Sequence, residues 1–158
     1  TDNTQACLAG KLCLVSYYGG KWILDSGATD HICSSLDMFD HYVPNSDLHN
    51  TIIIPNGSKV SVAHIGSVKV ADHITLTDVL HVPDFQFNLI SVQKLCRDMS
   101  CCLVFDKENC FVQDPIQKSC HTLLGKLQDG LYHVSSAMVS SHASAHTLAS
   151  QARFCGYL

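Results

Sequence analysis

One stretch of this sequence is arranged for chemistry: Trp22-Ile23-Leu24-Asp25-Ser26-Gly27-Ala28-Thr29-Asp30 sets an acidic residue between an apolar run and a hydroxyl-glycine pair. A carboxylate presented this way can activate water if a second carboxyl lies beside it. Two adjacent carboxyls cannot both ionise, so they share a proton and their pKa values split. The ionised member draws a proton from water while the protonated member hydrogen-bonds the carbonyl under attack, and no covalent intermediate is needed. The chain carries one Asp-Ser-Gly, because Asp129-Gly130 lacks the hydroxyl residue. A working site therefore requires Asp25 from two copies meeting on a two-fold axis, and the monomer alone is expected to be inactive.

The neighbours of Asp25 acquire roles on that reading. Ser26 can hydrogen-bond across the two-fold and lock the paired loops, and Gly27 permits both a tight turn and close approach of a substrate backbone. Ala28, Thr29 and Asp30 line the cleft. The tripeptide alone is weak evidence, arising by chance in roughly one chain in fifteen of this length. A solvated Asp at an ordinary strand-to-turn junction is the plain alternative.

The elements that must position this loop are mostly strands. Trp22 to Leu24 read as a short buried strand ending at the carboxylate, and His31-Ile32-Cys33 as a second. Leu36 to Asn50 reads as irregular, with Pro44-Asn45 marking a loop. Thr51 to Ile54 and Lys59 to Ile65 flank Pro55-Asn56-Gly57-Ser58, a strong hairpin signal. Asn56, Gly57 and Ser58 form a candidate flap over the cleft, with a plain surface hairpin as the alternative. Gly66 to Val70 and Ile74 to Leu80 give another hairpin, since Val60, Val62, Val68 and Val70 alternate as half-buried strand residues do. Ser91 is placed to cap a helix over 91–99, in which Val92, Leu95, Cys96 and Met99 recur at helical spacing. Beyond it, Cys102–Phe105 with Cys110–Val112, and His121–Leu127 with Leu131–Val134, read as two further hairpins. The fold class expected is all-β: a small antiparallel barrel with one late helix and an added C-terminal β extension.

Composition bounds the rest. The 158 residues are 46% hydrophobic and 15% charged, which fits one compact domain with tails. Residues 1–20 read as a linker with one strand over 12–17, residues 21–134 as the domain, and the Ser/Ala/His-rich residues 135–158 as a linker or the start of another domain. A net charge of −4 gives no electrostatic footprint for nucleic acid. No apolar run reaches bilayer-spanning length, so no membrane partner is expected. No leader-like start is visible, and the chain reads as a piece of a longer polypeptide. Nine cysteines without a secretory signal favour a reducing, intracellular setting. Their spacings include no Cys-x-x-Cys, so neither a metal nor another cofactor is expected. His31, His64, His73 and His81 carry no ligand spacing and are assigned structural roles.

The wider sequence resembles the protease segment of copia-type retrotransposon Pol polyproteins. The resemblance rests on the run from Trp22 to Cys33, on Pro55-Asn56-Gly57-Ser58, on Val79-Leu80-His81-Val82-Pro83, on Asn88-Leu89-Ile90-Ser91-Val92, and on Asp129-Gly130-Leu131-Tyr132. It implies a retropepsin-like barrel and a homodimeric aspartic protease whose catalytic residue is Asp25. The implied partners are a second copy of the chain and a polyprotein substrate, Gag-Pol, in the cytoplasm or a virus-like particle. A catalytically silent module of a decayed or domesticated element is the competing expectation.

Overall fold

The computed structural model describes residues 21–46, 51–54, 57–71, 73–118 and 121–134. The linkers expected over 1–20 and 135–158, and the strand expected over 12–17, lie outside them. In chain order the elements are β1 (Trp22–Asp25), β2 (Ile32–Cys33), a 3₁₀ turn (Leu36–Met38), β3 (His41–Pro44), β4 (Thr51–Ile53), β5 (Lys59–Ser61), β6 (His64–Ala71), β7 (Ile74–His81), β8 (Asn88–Ser91), α1 (Val92–Met99), β9 (Cys102–Phe105), β10 (Asn109–Gln113), β11 (His121–Gln128) and β12 (Leu131–Val134). Among the described residues the chain is all-β with one short helix, as its alternating apolar pattern predicts.

Ten strands form one sheet in the order β3-β6-β7-β2-β8-β1-β12-β11-β10-β9, and β4 pairs with β5 alone. The expectation of a small antiparallel barrel is corrected at two places. β1 runs parallel to β8, with Asp25 in register with Ser91, and β2 runs parallel to β7. Parallel neighbours need a long crossover between them, and here the crossovers run over 26–87 and 34–73. The sheet curls around a core in which Trp22, Leu24, Val68, Leu76, Ile90, Leu95, Leu124 and Val134 are buried together. A second cluster joins Ile32, Val62, Leu80 and Val82.

β7 feeds both clusters through a bulge. Ile74 and Leu76 point inward, Thr77 and Asp78 are both exposed, and Val79 is buried again. Asp78 takes a left-handed conformation (φ 49°), and the register with β6 shifts between Gly66 and Val68. The extra residue resets the in–out phase, so Val79 packs in the first cluster and Leu80 in the second.

β3 and β8 depart from the sequence reading. His41–Pro44 lies in the stretch expected to be irregular, yet pairs with β6 from Ser67 to His64. All four of its residues are exposed, so an edge strand formed by backbone pairing leaves no burial alternation to read. Asn88–Ser91 forms a strand paired with β1 immediately before the helix, and Leu36–Met38, in the stretch expected to be irregular, forms a 3₁₀ turn. Two of the structural histidines meet across β6 and β7. His64 Nδ1 and His81 Nδ1 are 2.9 Å apart, so one ring donates and the other accepts, and burial together with His64 lowers the pKa of His81.

Candidate active site

β1 lies between β8 and β12, and its first three residues are buried. The strand is therefore paired on both edges as far as Ile23 and buried as far as Leu24, and the chain leaves the core at Asp25, which is half-buried. Gly27 N–H donates to Asp25 Oδ1 at 2.7 Å. A methyl group on Gly27 would sit 3.3 Å from that oxygen, close enough to press on the carboxylate. Ser26, Gly27 and Thr29 are exposed, and Thr29 Oγ1 donates to Asp30 Oδ2 at 2.7 Å.

The loop is suspended from the start of the helix. Ser91 Oγ donates to Ala28 O at 2.7 Å and accepts Lys94 N–H at 3.1 Å, so one hydroxyl caps α1 and holds the loop. Ser91 N–H in turn donates to His31 Nδ1 at 3.1 Å. His31 is 1% exposed, and its pKa is lowered to about 4, chiefly by burial and secondarily by the Lys94 ammonium. A neutral ring accepting at Nδ1 carries its proton on Nε2, which has no hydrogen-bond partner among the described residues. Lys94 is itself buried and reaches Asp98 at 2.9 Å and Asp78 at 3.7 Å. Asn88, at the start of β8, accepts from both Ser34 N–H (3.0 Å) and Ser34 Oγ (3.2 Å), fixing the turn after β2.

The residues from Asp25 to Asp30 thus form one exposed turn on a buried frame. The candidate flap is carried separately. Asn56 lies outside the described residues. Gly57 (φ 83°) donates to Ile54 O at 2.8 Å, and Ser58 O accepts Ile54 N–H at 3.0 Å. Ile52 and Val60 of this hairpin pack on the cluster that contains Ile32, so the hairpin and the strand that follows the Asp25 loop share a base. Ser91 was legible as a helix cap, but its bond to Ala28, the bonds of Asn88 to Ser34 and the acceptor role of His31 escaped the sequence reading. Ser91 and Ala28 are 63 residues apart, and only the parallel β1–β8 pairing brings them together.

The sequence profile of a family described as the Pol polyprotein, beta-barrel domain, matches residues 22–100, half of the chain, including the Asp25 turn, the candidate flap hairpin and α1. This chain belongs to that family. Among its relatives are the retrovirus-related Pol polyproteins from transposons RE2 and RE1 of Arabidopsis thaliana, 34% and 32% identical over 134 residues. Each match takes in 81% of this chain and 9% of the relative. The Pol polyprotein from transposon TNT 1-94 of Nicotiana tabacum is 34% identical over 82 residues, covering 49% of the chain and 6% of the relative. The chain therefore spans about a tenth of the length of the curated relatives that match most of it. No solved structure matches it.

Two predictions follow from how this Pol β-barrel domain holds its loop. Ser91→Ala removes the helix cap and the Ala28 bond together, and should destabilise the domain by about 1–2 kcal/mol in urea unfolding. An unchanged midpoint would show that neither bond contributes. His31 gives a pH dependence of defined sign. Its folded pKa lies near 4 against 6.5 for a free histidine, so the unfolded chain takes up a proton first. The stabilisation is complete above about pH 6.5 and is lost as pH falls towards 4. Stability should therefore drop between pH 7 and pH 5 by about 1–2 kcal/mol on account of this ring. His31→Asn, whose amide oxygen can replace Nδ1 as acceptor, should flatten that slope, and an equal slope in both proteins would refute the assignment.

Proposed function

We propose that residues 21–134 are the aspartic endopeptidase unit of a copia-type Pol polyprotein, active as a homodimer in which Asp25 of each copy supplies one carboxylate. The observation that carries this reading is the placement of Asp25. It ends a fully buried strand, its Oδ1 accepts Gly27 N–H, and the turn is tied to the helix cap through Ser91 and Ala28. A solvated surface Asp needs no such frame. The half-buried carboxylate on an exposed turn is open to a second copy related by a two-fold axis. Of the two oxygens, one is engaged by its own loop, which leaves the other for the shared proton or the attacking water.

On this reading Ser26 bonds across the two-fold, Ala28, Thr29 and Asp30 line the cleft, and the hairpin around Gly57 and Ser58 closes over a peptide. The substrate is the polyprotein itself, Gag-Pol, within the cytoplasm or a virus-like particle. The relatives are Pol polyproteins of transposons, which supports a self-processing role. The test is to express a precursor containing this segment and to follow its cleavage at mildly acid pH beside the Asp25→Asn form. Equal processing by the two forms would leave a binding module as the better reading. Sedimentation gives an independent check, because a chain that stays monomeric at micromolar concentration cannot assemble the site.

A further inference from the structure

None of the cysteines has metal-type spacing, yet the end of α1 brings two of them together. The helix stops in a Schellman turn. Ser100 takes the left-handed conformation (φ 50°), its N–H bonds Arg97 O, and Cys101 N–H reaches back to Cys96 O at 3.0 Å. This motif folds the residue after the turn over the residue five positions earlier, where an apolar contact commonly sits. Here those two positions are Cys96 and Cys101, and each thiol acts on the other more strongly than any other group does. Both are half-buried, unlike Cys33 and Cys110, which are fully enclosed.

We propose that Cys96 and Cys101 are a reactive dithiol, a modification site that takes a small disulfide such as oxidised glutathione and closes to an intramolecular bond. The two thiols are unequal. The Cys101 thiol, and after it the Leu103 backbone, hold the pKa of Cys96 down to about 7 against the burial that opposes them. Cys101 keeps its proton, with burial and the neighbouring Cys96 and Cys102 all raising it. Cys96 is thus the attacking thiolate and Cys101 the resolving thiol. In the first step Cys96 Sγ⁻ attacks one sulfur of oxidised glutathione, the S–S bond breaks, and one glutathione leaves as thiolate. In the second, Cys101 gives up its proton and attacks Cys96 Sγ, expelling the second glutathione. Two protein thiols are oxidised and one small disulfide is reduced to two thiols. The bond formed would tie the last turn of α1 to the residue just before β9, at the boundary between the segment the family profile matches and the C-terminal strands.

The test uses the full chain. At pH 7 iodoacetamide should alkylate Cys96 about tenfold faster than Cys110, with a rate rising through a midpoint near pH 7. Incubation with oxidised glutathione should remove two thiols and leave no retained glutathione, with the bond mapping to Cys96–Cys101 by peptide mass. Cys101→Ser should instead accumulate a glutathione adduct on Cys96, and Cys96→Ser should lose both products. A bond mapping to Cys102 or Cys110, adducts spread evenly over the cysteines, or no faster alkylation of Cys96 would each overturn the proposal. The alkylation rate is read on the unaltered protein, so the outcome stands even if a serine variant misfolds. None of these readouts depends on protease activity.

Discussion

Alanine at Gly66 is expected to detach β3 from the sheet and to cost the domain about 3 kcal/mol or more, read as a lowered midpoint in urea unfolding. A Cβ there would lie 2.0 Å from His41 O, 2.8 Å from Tyr42 Cα and 2.9 Å from the Phe39 ring. Two of those three atoms are backbone, so no rotamer change relieves the overlap. The strand must move, and its attachments go with it. Asp40 Oδ2 accepts Lys69 N–H at 2.9 Å, the Tyr42 ring packs edge-on against His64, and Phe39 packs edge-on against His81. Gly57→Ala is the informative control. Nothing lies within 4 Å of its Cβ position, but its φ of 83° disfavours a side chain, so only about 1 kcal/mol should be lost. Similar losses at the two glycines would mean that the β3–β6 approach is looser than described.

The second large effect falls on activity. Asp25→Asn should lower precursor cleavage by about 10²–10⁴-fold while leaving the unfolding midpoint close to that of the parent chain. The amide keeps an oxygen to accept Gly27 N–H, so the turn survives, but it can neither ionise nor share a proton. Mixing the variant with the parent chain separates a paired site from a single one. If each site needs two Asp25 side chains and the copies pair at random, an equal mixture retains about a quarter of the parent activity at the same total concentration. Retention of about a half would mean that one chain carries a complete site, and the two-fold reading would fall.

The parts of this fold visible in the sequence were those that leave a local trace. The Asn56-Gly57 hairpin, the Asp129-Gly130 turn and the Ser91 cap each announce themselves within a few residues. Both Asp129 and Gly130 take positive φ, as a tight two-residue hairpin turn demands. Asp25 was legible because its loop chemistry is contiguous. What stayed hidden was the frame behind it. Whether β1 runs parallel or antiparallel to its neighbour leaves no mark on either strand's periodicity, so Ser91 could be read as a helix cap but not as the hook for Ala28. β3 hid for the opposite reason, since a wholly exposed strand has no buried face to alternate. The Cys96–Cys101 contact hid because its five-residue spacing has meaning only once Ser100 turns left-handed.

The pairing of β12 with β1 sets Trp22 opposite Val134. The first and last strands of the described unit are thus neighbours in the middle of the sheet rather than at its two edges. In a polyprotein this is the geometry of a bead closed by a clasp: chain arriving at one end and chain departing from the other do so side by side. Such a unit can be inserted between two other domains without spreading them apart, and its folding does not wait on either. The same clasp makes the C-terminal strands part of the frame. Cutting the chain after Met99, where the family profile all but ends, would uncover one edge of the strand that carries Asp25. A boundary drawn for expression should therefore lie beyond Val134.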